Sequence, residues 1–407
     1  MVVSPFPPST ATPGDGRIVA TLTPSGEPGL AVVSYQYPLK LIAPQTGAGL
    51  GTLGAAGDAS SNGDSTRRRS ALVFLLSYGG GLVAGDQVNL AIEVQRGARL
   101  SLVTQGTTKV FKATGEGRDA PVTVPTRQNL TMTVAPGAGL CLLPDPVQPF
   151  AESLYEQVQV VRLDETMETT GSSSSSSSSS GTAPRQLPSL CLLDWVTQGR
   201  AARGENWSFT SWKGRNEVWI ETTGFAGAGA GTGVGDGKDT DRGSPRRRSR
   251  LLVRDAVMLA AGYLDGGPAL SDTALRDSLQ GLAVFGTLIL RGPLVDALGQ
   301  FFMHEFDALP RLGGRDFRDT DDKDAPALAS AEAGPGTTLS LAAWRAERLR
   351  LEHMHGVLWS AAAVRGCVVV KFGARSVEGG RLWIGAMLQR EGSVATAFGE
   401  EALMCVR

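Results

Sequence analysis

Hydrophobic and polar residues alternate along several short segments of the chain. In segment 88–94 every second residue is Val, Leu or Ile, and Asn89, Ala91 and Glu93 lie between them. The same period of two recurs at 130–134 and at Val218–Ile220. Because successive side chains of a strand point to opposite faces, this pattern predicts half-buried β-strands. Glycine turns follow several of these segments, so we expect a mostly β protein.

A sequence repeat accompanies these strands. Val94–Leu102 resembles Val134–Leu142, and Leu140–Leu143 recurs as Leu190–Leu193. Stacked strand–turn–strand units predict a layered, β-helix-like or sandwich domain. Each repeat runs into a polar residue, and stacking is expected to place these residues along one edge of the sheets: Gln105, Asp145 and Asp194. Chance similarity among Gly turns and Leu-rich strands is the competing explanation.

Helical patterns are sparse and late in the chain. The candidates are Ser271–Leu282, Pro293–Leu309 and Leu341–Val364. The second has a broad apolar face, a proline at its first turn and Pro310 after its end, as helix boundaries favour. We therefore expect two or three helices packed on one side of the β layers.

Four segments are poor in residues that build a core. They span about 46–70, 164–188, 225–250 and 313–336, and the second contains the serine run Ser172–Ser180. Such compositions bury too little apolar surface to offset the entropy of ordering. We therefore predict one domain over 1–407, interrupted by disordered insertions at these four places.

Charge and cysteine content narrow the class of protein. Lys and Arg total 39 against 40 Asp and Glu, so nothing indicates a nucleic-acid partner or a membrane surface. No apolar run is long enough to span a bilayer. The N-terminal segment lacks the features of a secretory leader, so we expect a cytoplasmic protein with reduced thiols. The four cysteines form no CxxC pair, although their even number leaves disulfides open.

The densest motif is Ser77–Gln87, which contains four glycines followed by Asp86: Gly79, Gly80, Gly81 and Gly85. Its spacing formally fits a dinucleotide-binding fingerprint, but that motif needs a helix next and an acidic residue about 20 positions later. A strand pattern follows instead, so we reject a nucleotide site. The glycines predict a close backbone crossing, with Asp86 at its exit in a position suited to capping a turn.

Two further motifs carry candidate contacts. Lys109, in the polar turn after Gln105, is a candidate to bind an anion or to pair with Asp86 or Asp145, or else a simple exposed lysine. The three prolines within Pro144–Pro149 predict a rigid loop. Rigid loops suit interfaces, and two aromatic residues here are candidates for an interface or for the core: Phe150 and Tyr155.

The segment Asp194–Trp207 is dense in charge. Arg200 and Arg203 are predicted to form a buried ion network with Asp194 and Glu205. Such networks are usually structural or interfacial and only sometimes catalytic.

Enzyme signatures are missing from the sequence. It contains no HExxH, CxxC, EF-hand or GxSxG pattern, and the pair His353 and His355 has no third ligand nearby in sequence. We therefore predict that the protein is not an enzyme. Two alternatives stay open: a β-helix carbohydrate-active enzyme that uses Asp86, Asp145 or Asp194 as acid and base, and a generic β-rich module that binds another protein.

Four blocks, taken in order, resemble the urease accessory protein UreD family, also called UreH. They are Ser77–Asp86, Thr104–Lys112, Leu143–Gln157 and Asp194–Phe209, with weaker matches at 37–40 and Phe285–Leu290. The resemblance covers about 32–290. It implies a non-catalytic scaffold or chaperone of urease maturation that binds the urease apoprotein and a UreF-like protein, through which a UreG-like GTPase joins indirectly.

The resemblance also implies a role in nickel delivery, with nickel in transit and no tightly bound cofactor. Asp86 and Glu205 match family positions that line an internal nickel passage, and Asp145 lies in the matching loop. Oxygen ligands that bind weakly suit an ion that must leave again. The other matched residues carry over as motif or structural members: Gly79, Gly80, Gly81, Gly85, Gln105, Lys109, Asp194 and Arg200.

Overall fold

The computed structural model describes residues 12–44, 69–113, 124–166, 186–224, 246–260, 272–309 and 340–407. Most of the four predicted insertions lies outside these ranges, so their predicted disorder stays a prediction. Within them the strands are β1 (Asp15–Leu22), β2 (Pro28–Tyr35), β3 (Leu39–Ile42), β4 (Ala71–Ser77), β5 (Gln87–Val94), β6 (Arg99–Val103), β7 (Thr108–Val110), β8 (Thr126–Val134), β9 (Gly139–Leu142), β10 (Val147–Pro149), β11 (Leu154–Asp164), β12 (Ser189–Thr197), β13 (Ser211–Gly224), β14 (Arg246–Ala260), β15 (Val284–Arg291), β16 (Leu358–Val364) and β17 (Cys367–Ala374). The helices are α1 (Asp272–Ser278), α2 (Asp296–Asp307), α3 (Leu341–His355), α4 (Val377–Glu391) and α5 (Ser393–Phe398).

The strands form two sheets that face each other. The first sheet has the order β14-β13-β11-β8-β5-β1-β2. The second has the order β16-β17-β15-β12-β9-β6-β4-β3, with β10 paired to β12 and β7 paired to β10. The mostly β, layered fold predicted from the alternation is therefore confirmed.

The sequence repeat is the structural repeat. From β5 to β13 the main strands alternate between the two sheets, and equivalent strands lie side by side in parallel. Val94 pairs with Val134, and Leu100 pairs with Leu140, which pairs in turn with Leu190. The matched residues of the repeat thus stack on one another, which confirms stacking and removes chance similarity as the explanation.

Two hydrophobic cores lie on either side of the second sheet. Leu190 and Leu192 pack between the sheets, whereas Cys191 and Leu193 pack against helices α2, α4 and α5. Because both faces of β12 are covered, its sequence is mostly apolar rather than alternating. The inward polar residue Asp194 therefore stands out in this strand.

The helical predictions were partly correct. Segment Pro293–Leu309 contains α2 and segment Ser271–Leu282 contains the shorter α1, while α4 and α5 were not predicted. Five helices are thus present in the described ranges, more than the two or three expected.

The prediction of one helix over Leu341–Val364 is wrong beyond His355. Gly356, with a φ of 56°, ends α3. Residues after it pair with β17 through a two-residue turn, Arg365-Gly366, in which both φ angles are positive. Such a turn favours a hairpin over a helix. His353 and His355 lie in the last turn of this helix.

Arg246–Arg250, predicted to lie in the third insertion, belong to β14 instead. This long strand pairs with β13 over Ser211–Gly224, so tertiary pairing overrides a composition typical of loops. No helix in the described part of the chain is long and apolar enough to cross a membrane.

Candidate functional site

A row of polar side chains crosses the space between the two sheets. On the second sheet, Asp194, Thr287 and Lys371 are direct neighbours on β12, β15 and β17. Opposite them, on the first sheet, three direct neighbours lie on β11, β13 and β14: Gln159, Asn216 and Asp255. All six alternate along their strands with residues outside this layer, and several of their inward-facing strand neighbours belong to the core between the sheets: Leu192, Val196, Val161, Val218 and Val253.

These six residues, together with Thr104, Asp145 and Gln157, are called the inter-sheet polar layer. It runs from the end of β6 to β17, which is four strand spacings, or about 19 Å. Apolar core borders it, except at the β17 end, where the Lys371 side chain is partly exposed. Polar groups in such a place must find partners, because burying a polar group without a hydrogen bond is costly.

Asp194 lies in the middle of this layer with 7% of its surface exposed. Its Oδ1 accepts a 2.8 Å hydrogen bond from Gln157 Nε2, and its Oδ2 accepts one of 2.8 Å from Asn216 Nδ2. Tyr155 OH in turn donates to Gln157 Oε1 over 3.0 Å. Burial raises the pKa of Asp194 above its usual value, and these hydrogen bonds only partly oppose that effect.

Asp145 lies at one end of the layer with 5% of its surface exposed. Thr104 Oγ1 and the Gly106 N–H donate to its Oδ2 over 3.0 and 2.9 Å. Arg381 on α4 donates from Nη2 to Oδ1 over 2.8 Å. Cys405 covers the same end, where its thiol donates to the Thr104 carbonyl over 3.3 Å. Residues distant in sequence therefore close this end.

A small cavity of about 30 Å³ lies among these groups, and Thr104, Asp145, Gln157 and Asp194 contribute to its lining. This volume holds about one water molecule. Two of the carboxylates named for the carbohydrate-active alternative, Asp145 and Asp194, thus line a space too small for a sugar ring.

The glycine motif forms the predicted close crossing at Gly81. A Cβ there would lie 2.6 Å from the Phe111 ring and 2.9 Å from the Lys109 carbonyl oxygen. The other three glycines are required by their backbone conformation instead, because their φ angles are positive, from 71° to 82°: Gly79, Gly80 and Gly85.

Asp86 caps the turn that leaves this crossing. Its Oδ2 accepts a 2.8 Å hydrogen bond from the Val83 N–H, as the turn-capping role predicts. The side chain is half-buried, and burial raises the pKa of Asp86.

The carboxylate of Glu205 is paired with Arg200. It accepts hydrogen bonds of 2.8 Å from both the backbone N–H and Nε of Arg200. Burial alone would raise the pKa of Glu205, but the hydrogen bonds from Arg200 outweigh it and the pKa is lowered. The guanidinium also stacks 3.9 Å from the centre of the Phe150 ring.

The predicted four-residue ion network is therefore only partly present. Arg200 pairs with Glu205, but Asp194 is bonded to Gln157 and Asn216 instead, and Arg203 is exposed. The prediction failed for Asp194 because β12 carries its side chain between the sheets, whereas residues 198–205 leave the sheet as a loop.

The two interface candidates are buried, which corrects that interpretation. Tyr155 is fully buried between the sheets, and Phe150 packs edge-on against Phe111. The alternative core role is the one that the structure gives them. Gln105 and Lys109 are exposed. Lys109 was a candidate to pair with Asp86 or Asp145, but the hydrogen bonds described above for these two carboxylates come from other residues.

Sequence reasoning did not single out Arg381, Lys371 or the polar residues of the first sheet. One signal was present for Lys371 and the residues of the first sheet: they are polar at strand positions where the period of two requires a core residue. Within the described ranges, no group of three or more His, Cys, Asp and Glu side chains is placed to hold a metal ion. The four cysteines are free and buried.

Comparison with known proteins gives a consistent result. The family model described as "UreD urease accessory protein" matches residues 14–172 and 187–406. The chain is 31% identical over 223 residues to "Urease accessory protein 4" of Cryptococcus neoformans var. grubii, which covers 51% of this chain and 57% of that protein. It is 33% identical over 206 residues to "Urease accessory protein UreD" of Sorangium cellulosum, and these residues are 50% of this chain and 49% of that protein.

A plant relative matches a similar share. "Urease accessory protein D" of Arabidopsis thaliana is 30% identical over 186 residues, which is 46% of this chain and 48% of the relative. The chain thus spans about half the length of these curated relatives that it matches.

Proposed function

The chain belongs to the UreD urease accessory protein family, and we propose that it is a scaffold for urease maturation whose inter-sheet polar layer carries nickel. In this proposal it acts in the cytoplasm without catalysing a reaction. It binds the urease apoprotein and a UreF-like protein, through which a UreG-like GTPase joins.

The inter-sheet polar layer is the observation that carries the proposal. A β-sandwich needs only apolar residues between its sheets, yet here two buried carboxylates, Asp145 and Asp194, lie there with amides and hydroxyls beside them. Such groups are retained at a cost in stability when they serve another purpose. A path for a cation, whose hydration waters these oxygens would replace, is a purpose that polar groups in a row can serve.

The donor atoms suit an ion that moves on. Carboxylate, amide and hydroxyl oxygens hold nickel more weakly than imidazole or thiolate ligands do. Conduction requires binding that admits the ion but also releases it. A path lined by oxygen atoms satisfies both conditions, whereas a cage of histidines or cysteines favours storage.

Asp86 and Glu205 have different places in this proposal. Asp86 is half-buried and keeps Oδ1 free of the turn bond to Val83, so it remains a candidate at an entrance. Glu205 is engaged by Arg200, and we assign it the role of fixing the loop beside Phe150.

The test is urease activation in a host that co-expresses the urease apoprotein and the other accessory proteins. Asp194→Asn and Asp145→Asn each remove one charge from the polar layer. We expect both variants to enter the complex with urease but to give severalfold less active urease at limiting nickel. Metal analysis of the purified urease should show correspondingly less nickel.

Glu93→Gln is the matched control, because Glu93 lies on the outer face of the first sheet and pairs with Arg17 at 3.5 Å. It should activate urease as well as the unmodified chain. Full activation by the Asp145→Asn/Asp194→Asn double variant would refute the nickel route. Failure of the unmodified chain to co-purify with urease would refute the scaffold role.

A further inference from the structure

Three buried acceptor oxygens lie side by side without a donor. Gln159 Oε1, Asn216 Oδ1 and Asp255 Oδ2 have no hydrogen-bond partner in the described part of the chain. The three residues are direct cross-strand neighbours, and Gln159 and Asn216 are only 3% and 2% exposed. Adjacent strands lie about 4.8 Å apart, so Asn216 is about 5 Å from each of the other two residues, and Gln159 and Asp255 flank it at about 10 Å from each other, a gap that their side chains can narrow by leaning towards Asn216.

The orientation of Asn216 is set by its neighbour. Its Nδ2 donates to Asp194 Oδ2 over 2.8 Å, so its Oδ1 is the atom left without a donor. Buried acceptors without partners are rare in native proteins. Three such acceptors in one cross-strand row indicate a binding site for a positively charged group.

Lys371 brings a positive charge to this place from the opposite sheet. Its Nζ lies 2.5 Å from Asp255 Oδ1 and 3.3 Å from Thr287 Oγ1. Its side chain remains 38% exposed, so the ammonium group can leave Asp255 for water without crossing the core.

We propose that Gln159, Asn216 and Asp255 form a weak, oxygen-only site for a divalent cation, at which Lys371 is the displaceable counter-ion. When a cation enters, the ammonium group moves to solvent and Asp255 becomes a ligand together with the two amide oxygens. When the cation leaves, Lys371 returns and neutralises Asp255. The identification of the cation as nickel in transit rests on the function proposed above.

This arrangement has a clear chemical consequence. One carboxylate and two amide oxygens bind a hard cation through few charges, and competition from Lys371 weakens that binding further. An ion bound there is therefore released readily. Without the lysine the same oxygens would hold the ion much longer.

The test measures binding of Ni²⁺ and Co²⁺ alone to the purified full chain by calorimetry and by X-ray absorption. We expect Lys371→Met to bind one ion at least about ten-fold more tightly than the unmodified chain, because a competing positive charge a few ångströms away is removed. Absorption spectra should show oxygen and nitrogen neighbours without sulfur. Lys371→Arg, which keeps the charge, should not tighten binding.

Two matched variants complete the design. Lys213→Met removes an outer-face lysine that pairs with Glu156 at 3.4 Å, and it should bind as the unmodified chain does. Asp255→Asn added to Lys371→Met should abolish the gain. Circular dichroism and thermal unfolding identify any variant that has lost its fold. The binding affinities of the variants that remain folded, compared with that of Lys371→Arg, then decide the outcome.

Equal binding by folded Lys371→Met and the unmodified chain would overturn the site, and would indicate that water satisfies the three oxygens. The function proposed above fails separately, through full urease activation by the Asp145→Asn/Asp194→Asn double variant. If Lys371→Met binds tightly while that double variant activates urease fully, the cation site stands and the nickel route falls.

Discussion

The ion pair between Arg381 and Asp145 should hold the helical layer to one end of the inter-sheet polar layer. Arg381→Met removes the hydrogen bond from Nη2 to Asp145 Oδ1 and a second one from Nη1 to the Cys405 carbonyl. The side chains of Arg381 and Asp145 are 20% and 5% exposed, so water replaces the lost contacts only in part.

The expected cost follows from what stays behind. Asp145 keeps its bonds from Thr104 and Gly106 but loses its cation. Breaking a buried pair by removing one partner costs about 3–5 kcal/mol, and the remaining bonds place this variant near the lower end. We therefore expect Arg381→Met to lower the free energy of unfolding by about 3 kcal/mol.

Urea unfolding of the full chain measures this change as a shift of the midpoint at constant slope. Arg350→Met is the matched control, because Arg350 pairs with Glu347 on an exposed surface, where such pairs contribute at most about 1 kcal/mol. A double-mutant cycle with Asp145→Asn isolates the pair itself. If Arg381→Met cost no more than Arg350→Met, or if the cycle gave no coupling, the assignment of this pair as a buried tie would be wrong.

Two further predictions concern other ion pairs. Glu305 is buried between α2 and α3, where it pairs with Arg345 and the buried Arg348, so Glu305→Ala should lower the free energy of unfolding by about 3–5 kcal/mol. The exposed control Glu347→Ala should change it little, and equal effects of the two variants in thermal unfolding would contradict the assigned burial. Arg200 lowers the pKa of Glu205, so the unmodified chain should be more stable than Arg200→Met above the unfolded pKa of about 4.3, and this advantage should disappear as the pH falls through the lower folded pKa. Urea unfolding between neutral and acidic pH checks this, and an advantage that grew on acidification would show the opposite linkage.

Much of the fold was predictable because it rests on local patterns. The period of two in segments 88–94 and 130–134 gives strands whose inner residues are apolar, and the repeat gives their stacking. The close crossing at Gly81 was also predictable, since a run of glycines with no helix after it has few other uses. The hairpin at Arg365-Gly366 was missed because the preceding residues, Ala361–Ala363, are strong helix formers, and only pairing with β17 holds them in a strand.

The candidate site was predictable only in part. Asp145 and Asp194 were named from the sequence, and both line the cavity between the sheets. Their partners were not named, because Asn216, Arg381 and Lys371 lie far from them in sequence and become neighbours only through strand pairing and helix packing. Phe150 and Tyr155 were candidates for an interface or for the core, and the fold buries both.

The sequence by itself determined the mostly β class, the stacked repeat and the family resemblance, because these depend on the order and spacing of residues along the chain. The tertiary structure alone decided which polar residues share the interior, since inward or outward direction follows from strand pairing and from what covers each face. Glu205 and Asp194 illustrate the difference. Both are acidic residues of one motif, yet one is neutralised by Arg200 in a loop and the other lies between two sheets.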